Sequence, residues 1–354
     1  MTGRRPVVLA LLALALLAGG SGAVAAAPDD PTQLFRIKDP RVIESSGLAT
    51  GLALPEVLWT VNDSGDRPRV YGIGPDGSTV ATLTLRGARA RDWEAVAVSP
   101  RAGGGAWLWL GDIGDNRSSW PTVRVYRVVE PSALGARDVS WQAYELRYPD
   151  GPRDAEALLV DPGDGRLYVV SKRVQGAAVY RAPKELRQDR VNVLERVASA
   201  PPLVTDGSFA PDGRVAVRDY LQAFVAPRLG AGAARLALPL QPQGEGLTWT
   251  ADGSALVVSS EGKNSVVWRV PVPSVARPTA SSAVPGTDVS PSVAPPAPGA
   301  TPDDGTSSGL SPVWLTALAG LLIGGGIASA QAARRRRAQQ RATDDSELGY
   351  QRES

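Results

Sequence analysis

The sequence predicts an all-β protein, a β-propeller of five blades with six as the alternative count, followed by one C-terminal transmembrane helix. Three observations carry this prediction. One strand phrase recurs five times at a spacing of roughly 40–60 residues, Asp-Gly turns separate the strands, and residues 28–272 show no amphipathic helical period.

The elements follow in order. Residues 1–27 read as a secretory signal: Arg4 and Arg5 precede the apolar run VVLALLALALLAG, and Ala25-Ala26-Ala27 offers a small-residue cleavage site. Residues 28–272 form the propeller. Residues 273–312, rich in Pro, Ser, Ala and Thr, lack the large apolar side chains of a core and read as a stalk. Residues 313–333, VWLTALAGLLIGGGIASAQAA, carry no charge and are long enough to cross a hydrocarbon core of about 30 Å. Arg334 to Arg337 follow at once, which favours the cytoplasmic side for the tail 334–354. The expected topology is a single-pass type I protein in the cell membrane with its propeller outside.

Within the propeller, each repeat opens with a short strand: SSGLA (45–49), WEAVAV (93–98), AEALLV (155–160), DGSFA (206–210) and EGLTW (245–249). A second strand follows: LWTVND (58–63), LWLGDI (108–113), LYVVSK (167–172), VAVRDY (215–220) and LVVSSE (256–261). The third carries an aromatic: Tyr71, Tyr126, Tyr180, Phe224 and Trp268. A fourth is clear at 79–85 and 141–148 and weak elsewhere. PGDG (162–165), PDG (211–213) and ADG (251–253) join first strands to second, and PDG (75–77) joins a third to a fourth. Asp-Gly supplies the positive φ that tight hairpins need. The last repeat lacks a fourth strand, and LFRI (34–37) has no repeat of its own. This N-terminal strand is therefore expected to complete the last blade and close the ring. A six-bladed ring also fits, because LFRI resembles the third-strand phrase. A two-sheet sandwich explains the alternation but not the repetition.

Aligning the first strands on the small residue after the acid places Ser46, Glu94, Glu156, Asp206 and Glu245 at one position. Glu44, Asp92, Asp154, Val204 and Gln243 stand two residues earlier, on the same strand face. In a propeller the first strand lines the channel, so these acids converge at one mouth. Second strands run back toward that mouth, and their exits add Asn62, Asp63, Asp112, Lys172, Arg173, Arg218, Tyr220 and Glu261, with Lys263 just beyond. Three readings fit. The acids cap backbone or pair with Arg between blades. Alternatively Glu94, Glu156, Asp206, Glu245, Asn62, Asp63 and Asp112 hold Ca²⁺, which takes 6–8 oxygen ligands. Or the mouth binds a ligand without metal, with Lys172, Arg173, Arg218, Trp120 and Tyr220 as contacts. NDSGD (62–66) and GDIGDN (111–116) lack the EF-hand pattern. Trp59, Trp107, Trp109 and Trp120 read first as packing between blades, and Trp120 and Tyr220 as candidates for stacking on a sugar.

Absences narrow the chemistry. The chain has no Cys and no His. Disulfides, a cysteine-linked lipid, thiolate and imidazole metal sites, and Ser-His-Asp or Cys catalysis are all excluded. Carboxylate and hard-metal chemistry remains. The whole chain carries +2; Arg4 and Arg5 account for one +2 and the tail, six Arg against four acids, for another, leaving about −2 elsewhere. That balance argues against nucleic acid.

The E-[AG]-[LV] start of an inner strand, followed by an apolar strand ending in Asn or Asp, resembles bacterial exported β-propellers related to beta-propeller phytases and phytase-like esterase domains. The resemblance covers about residues 44–272. It implies a propeller, sometimes with Ca²⁺ in or near the channel, and for the phytases calcium-dependent phosphate chemistry. Ser46, Lys172 and Arg218 depart from a full carboxylate set. The sequence thus points to a membrane-anchored, cell-surface binding module for an extracellular ligand or protein, with Ca²⁺ as its candidate ion. The alternative is a Ca²⁺-dependent hydrolase of phosphoesters or lactone-like compounds.

Overall fold

The computed structural model describes residues 30–273 except Ser64, and every regular element in that range is a strand. No helix of the described residues is long and apolar enough to cross a membrane. The signal, transmembrane and tail assignments, and the stalk beyond Pro273, lie outside the described residues.

The chain opens with β1 (Thr32–Arg36). Blade 1 follows as β2 (Ser45–Thr50), β3 (Leu58–Asn62), β4 (Arg69–Ile73) and β5 (Thr79–Thr84). Blade 2 contains β6 (Trp93–Pro100), β7 (Ala106–Asp112) and β8 (Val123–Val129), then an excursion forming β9 (Gly135–Asp138), then β10 (Trp141–Arg147). Blade 3 contains β11 (Ala155–Val160), β12 (Leu167–Ser171) and β13 (Ala178–Arg181), an excursion forming β14 (Asn192–Val193), then β15 (Glu195–Ser199). Blade 4 is β16 (Asp206–Phe209), β17 (Val215–Arg218), β18 (Gln222–Ala226) and β19 (Ala234–Ala237). Blade 5 is β20 (Gly244–Trp249), β21 (Ala255–Ser260) and β22 (Val266–Pro271), and β1 supplies its outer strand.

There are five sheets, so the ring has five blades. The first strands β2, β6, β11, β16 and β20 contact one another in a closed circle and line the channel, as expected from their place in each repeat. β1 runs antiparallel to β22, with Thr32 opposite Arg269 and Arg36 opposite Val266, so LFRI closes the ring as the sequence implied. Beyond β1 the chain is fastened to blade 1. Lys38 N–H donates to the Gly77 carbonyl at 2.9 Å, and Lys38 Nζ to Asp76 at 3.1 Å. Gly77 has φ of +81°, and a Cβ there would lie 2.0 Å from the Arg36 carbonyl oxygen. The Pro-Asp-Gly turn therefore serves two ends: it reverses the hairpin and leaves room for the strand that closes the ring.

Two strands were not legible in the sequence. β9 pairs parallel with β5 of blade 1, and β14 pairs parallel with β10 of blade 2. In blades 2 and 3, then, the connection from the third strand to the fourth lends a strap to the blade before it.

Five apolar clusters fill the five seams. Trp59 and Leu83 meet Trp93 and Tyr126 between blades 1 and 2. Tyr144 meets Leu158 and Tyr180 between blades 2 and 3. Tyr168 meets Val215 between blades 3 and 4, Val225 meets Trp249 between blades 4 and 5, and Val257 meets Tyr71 between blades 5 and 1. Inner and second strands have a seam on each face, so β3, β11, β12, β20 and β21 are buried at every position. Trp59 and Trp109 pack in these seams, and their indole nitrogens are satisfied there: Trp59 Nε1 donates to Glu130 at 2.9 Å and Trp109 Nε1 to Ser99 at 3.0 Å. Trp107 lies against Arg101 and Arg127, their guanidinium carbons 5.0 and 4.4 Å from its ring.

Gly77→Ala should be costlier than Gly87→Ala. Both positions have positive φ, but a Cβ at Gly87 meets nothing within 4 Å. Strain alone costs about 1–2 kcal/mol; the collision with Arg36 should at least double that at Gly77, read as a lower midpoint in urea unfolding.

Candidate functional site

The site begins with irregularities in the inner strands. β6 shifts register between Trp93 and Ala95, β11 between Ala155 and Ala157, and β20 between Gly244 and Leu247. The bulged residues include Glu94, Glu156 and Glu245. A bulge inserts an unpaired residue and re-aims its side chain. β2 is irregular at the matching place, between Ser46 and Ala49. The hydroxyl of Ser46 donates to the Glu94 carbonyl at 3.0 Å and to Glu94 Oε2 at 3.2 Å.

Blade 4 has no such shift, and this corrects the alignment made from sequence. Phe209 opposite Val215 matches Val160 opposite Leu167, so Asp206 corresponds to Ala157 and not to Glu156. Asp206 is fully buried and works as a staple. Its Oδ2 accepts the N–H of Leu247 at 2.7 Å and of Leu48 at 3.0 Å, and its Oδ1 accepts Gly207 N–H at 2.7 Å. One carboxylate thus ties blades 4, 5 and 1 together across the channel wall.

The second-strand exits do share the mouth with the inner-strand starts. Asp63 N–H donates to Glu44 O at 3.0 Å, Lys172 N–H to Asp154 O at 3.0 Å, and Glu261 N–H to Gln243 O at 2.9 Å. Four blades then bring two acids each: Glu44 and Asp63, Asp92 and Glu94, Asp154 and Glu156, Glu245 and Glu261.

Three of these form the tightest group. Carboxylate oxygens of Asp63, Asp92 and Glu94 all lie within 4.8 Å of one another, and all three residues are buried. Gly114, in the GDIGDN loop, closes over them: a Cβ there would lie 2.5 Å from Glu94 Oε1 and 2.8 Å from Asp92 Oδ2. The cradle is therefore open only because this position lacks a side chain. Asp92 was set aside in the sequence list of metal candidates, although its place two residues before Glu94 on one strand face was the signal that could have added it.

The other candidates have different work. Asn62 accepts the N–H of Ile43 and of Glu44 on Oδ1, both at 3.2 Å, and its amide donates to Arg41 O at 2.8 Å. Asp112 Oδ1 accepts Arg91 N–H at 3.0 Å and Asp92 N–H at 2.9 Å. It orients the triad's backbone. Glu156 pairs with Lys172 Nζ at 2.7 Å, whose ammonium lies 5.2 Å from the Tyr220 ring centre. Arg218 is buried and donates from all three nitrogens to protein acceptors, including Gly246 O at 3.0 Å and Ser259 O at 3.1 Å. Arg173 is exposed. Trp120 lies under Arg91, whose guanidinium carbon is 4.0 Å from its ring centre. Lys172 and Tyr220 therefore belong to the mouth, while Arg218, Asn62 and Asp112 support it from below.

Charge dominates the site. Burial, then repulsion from Asp63, Glu156 and Asp92, pushes the Glu94 carboxyl well above its usual range, with Lys172 opposing. Burial and Glu156 lift Asp154 to about 7. Burial lifts Glu245 to about 7 against Lys172. Burial, Glu245, Glu44 and Glu156 raise Glu261 to about 9. Burial alone would lower Lys172, but Glu156, Glu245, Tyr220 and Glu94 outweigh it and hold the ammonium well above its ordinary value. Burial lowers Arg218 only to about 10, so it keeps its charge at neutral pH. With Lys172 paired and Arg218 spent on carbonyls, the mouth repels anions and attracts cations.

No protein-family model matches the chain, and no curated protein does. Among solved structures, the PQQ-bound aldose sugar dehydrogenase from Streptomyces coelicolor is similar at 12% identity with TM-score 0.42, covering 69% of this chain and 99% of that one. A gluconolactonase from Xanthomonas campestris is similar at 13% identity with TM-score 0.40, covering 70% and 98%. Neither is described as a phytase. At these scores the likeness carries no argument, and the propeller rests on its own strand pairing.

Two outcomes follow. Asp154, Glu245 and Glu261 bind protons more tightly when folded than their ordinary carboxylate values allow unfolded. Between about pH 4.5 and pH 9 the folded state therefore holds more protons, and stability falls as pH rises, by on the order of a few kcal/mol in total. The carboxylates held low, Asp39, Asp76, Asp189 and Asp252, act below this window. Urea unfolding at pH 5 and pH 8.5 without divalent ions checks the sign. Second, Asp206→Ala orphans the N–H groups of Leu247, Leu48 and Gly207 at about 1–3 kcal/mol each, so at least about 3 kcal/mol should be lost. Asp206→Asn should lose less and leave cation affinity unchanged in calorimetric titration.

Proposed function

We propose that the chain is a cell-surface propeller that binds a divalent cation, Ca²⁺ by preference, at one mouth of its channel and uses that mouth to recognise an extracellular ligand. The observation that carries this reading is the buried triad of Asp63, Asp92 and Glu94 with its oxygens within 4.8 Å of one another. Three carboxylates so close and so dry repel one another strongly, and a cation between them removes that repulsion. Oxygen-only donors suit hard ions. Mg²⁺ sheds water reluctantly and keeps several waters, whereas Ca²⁺ accepts irregular oxygen cages. Asp112 and Gly114 support the reading by holding the triad's backbone and keeping its approach clear.

Export and anchoring complete the proposal, on the sequence of residues 1–27 and 313–333. The described chain leaves blade 5 at Pro271, opposite Ala255, at the end of the ring away from the acids. A stalk continuing from there would present the acidic mouth away from the membrane.

A second reading, a Ca²⁺-dependent hydrolase, is favoured by one observation. Asp154 and Glu245 are held at about 7, where a carboxylate exchanges protons readily at neutral pH. The negative mouth then suits an uncharged lactone-like substrate better than a phosphoester.

Calorimetric titration of Ca²⁺ should show binding that Asp92→Asn with Glu94→Gln weakens at least about 100-fold, as loss of two charged ligands requires. Absence of heat and of thermal stabilisation in the native protein would overturn the cation reading. Calcium-dependent opening of a simple lactone, lost in Glu245→Gln but not in a Trp107 variant, would favour the hydrolase.

A further inference from the structure

The triad occupies the side of the mouth formed by blades 1 and 2. On the blade 5 side, Glu261 N–H donates to Gln243 O at 2.9 Å and Gly262 N–H to Ile43 O at 3.0 Å, which sets Glu261 beside the strand starts that carry Glu245 and Glu44, three acids that the cation reading leaves unused. Glu245 is 2% exposed. Its Oε1 accepts the side-chain amide of Gln243 at 3.2 Å, but its buried Oε2 has no hydrogen-bond donor among the described residues. A buried carboxylate oxygen without a donor is costly, and its natural complement is an incoming N–H.

The same mouth shows which donor it accepts. Lys172 presents an alkylammonium to Glu156 at 2.7 Å and to the face of Tyr220 at 5.2 Å. Lys172 is a half-buried ammonium whose charge is already taken up by Glu156. Lys263 lies in the exposed loop just past Glu261. Even with a divalent ion in the triad, carboxylates from four blades outnumber the positive charges. A second metal ion fits poorly. Among the described residues only Asp63, Asp92 and Glu94 gather their oxygens within 4.8 Å. An ammonium on a flexible stem needs only one or two acceptors and tolerates wider spacing.

We infer that Glu245 and Glu261, with Glu44 beside them, form a subsite for the ammonium group of an organic ligand, next to the cation triad. The subsite shares the mouth with the proposed function but uses none of the triad's side chains, so each stands or falls separately. The raised proton affinity of Glu261 agrees with it, since the proton held there is what an ammonium would replace. The ammonium can come from a free amine or from a lysine side chain of a partner.

The test titrates the full-length protein, at fixed ionic strength and saturating Ca²⁺, with N-acetyl-lysine methylamide, pentylamine and the uncharged N-acetyl-norleucine methylamide. The lysine probe should bind, and the norleucine probe should not. Glu245→Gln, which removes a buried charge and should fold, and Glu261→Gln should each weaken the lysine probe about tenfold, the loss of one charge-assisted contact. Neither should change Ca²⁺ affinity by more than about threefold, about 0.65 kcal/mol or half of the 1.4 kcal/mol that a tenfold change is worth. Glu94→Gln should do the reverse. Equal binding of pentylamine supports a free-amine ligand, and preference for the lysine amide supports a peptide. Binding of the norleucine probe, indifference to both Glu245→Gln and Glu261→Gln, or complete displacement of the lysine probe by Ca²⁺ would overturn the subsite.

Discussion

The interaction on which the mouth depends is repulsion among carboxylates that the backbone forbids to separate. Each acid lies in an inner strand or one residue beyond the end of an inner or second strand, and those strands are clamped by seams of buried apolar side chains. In an open loop such acids would turn outward into water. In a closed ring they cannot, so burial first, and repulsion from neighbouring carboxylates second, raise the proton affinity of Glu94, Asp154, Glu245 and Glu261. Lys172 offsets part of it through Glu156. The remainder is stored as affinity for something positive.

Closure of the ring is what makes that confinement possible. β1 pairs with β22, and the chain beyond it crosses to the Asp76-Gly77 turn of blade 1, so the N-terminal segment ties the last blade to the first. Inside the channel, Asp206 holds blades 4, 5 and 1 together, and Arg218 joins blade 4 to the carbonyls of Gly246 and Ser259. Blade 4 thus gives its charged residues to the wall, while the other four give theirs to the mouth. The difference follows from one feature: blade 4 alone has an inner strand without a bulge.

Much of this was legible in the sequence. The blade grammar gave the strand order, the inner strands, the seam aromatics and the role of residues 34–37, because hydrophobic alternation and Asp-Gly turns are local. The bulges were not legible. A bulge changes register by one residue without a composition signal, and so Asp206 was aligned with Glu156 when it belongs with Ala157. The straps β9 and β14 were missed because Gly135–Asp138 and Asn192–Val193 are short, exposed and paired only through a neighbouring blade. Within the site, the sequence placed Glu94 and Asp63 at the same mouth, and their oxygens lie within 4.8 Å of each other and of Asp92. Asn62, Asp112 and Arg218 were placed near the mouth by their position on the strand exits, yet their hydrogen bonds to backbone depend on partners tens of residues away in the chain.

The most direct test of the triad is where a cation lies. Crystals equilibrated with Ca²⁺, and a parallel set with Mn²⁺ for anomalous scattering, should show one ion bridging Asp63, Asp92 and Glu94 beneath Gly114, at the oxygen distances usual for each metal. A clean channel at saturating metal, or an ion held elsewhere while the triad stays empty, would contradict the account.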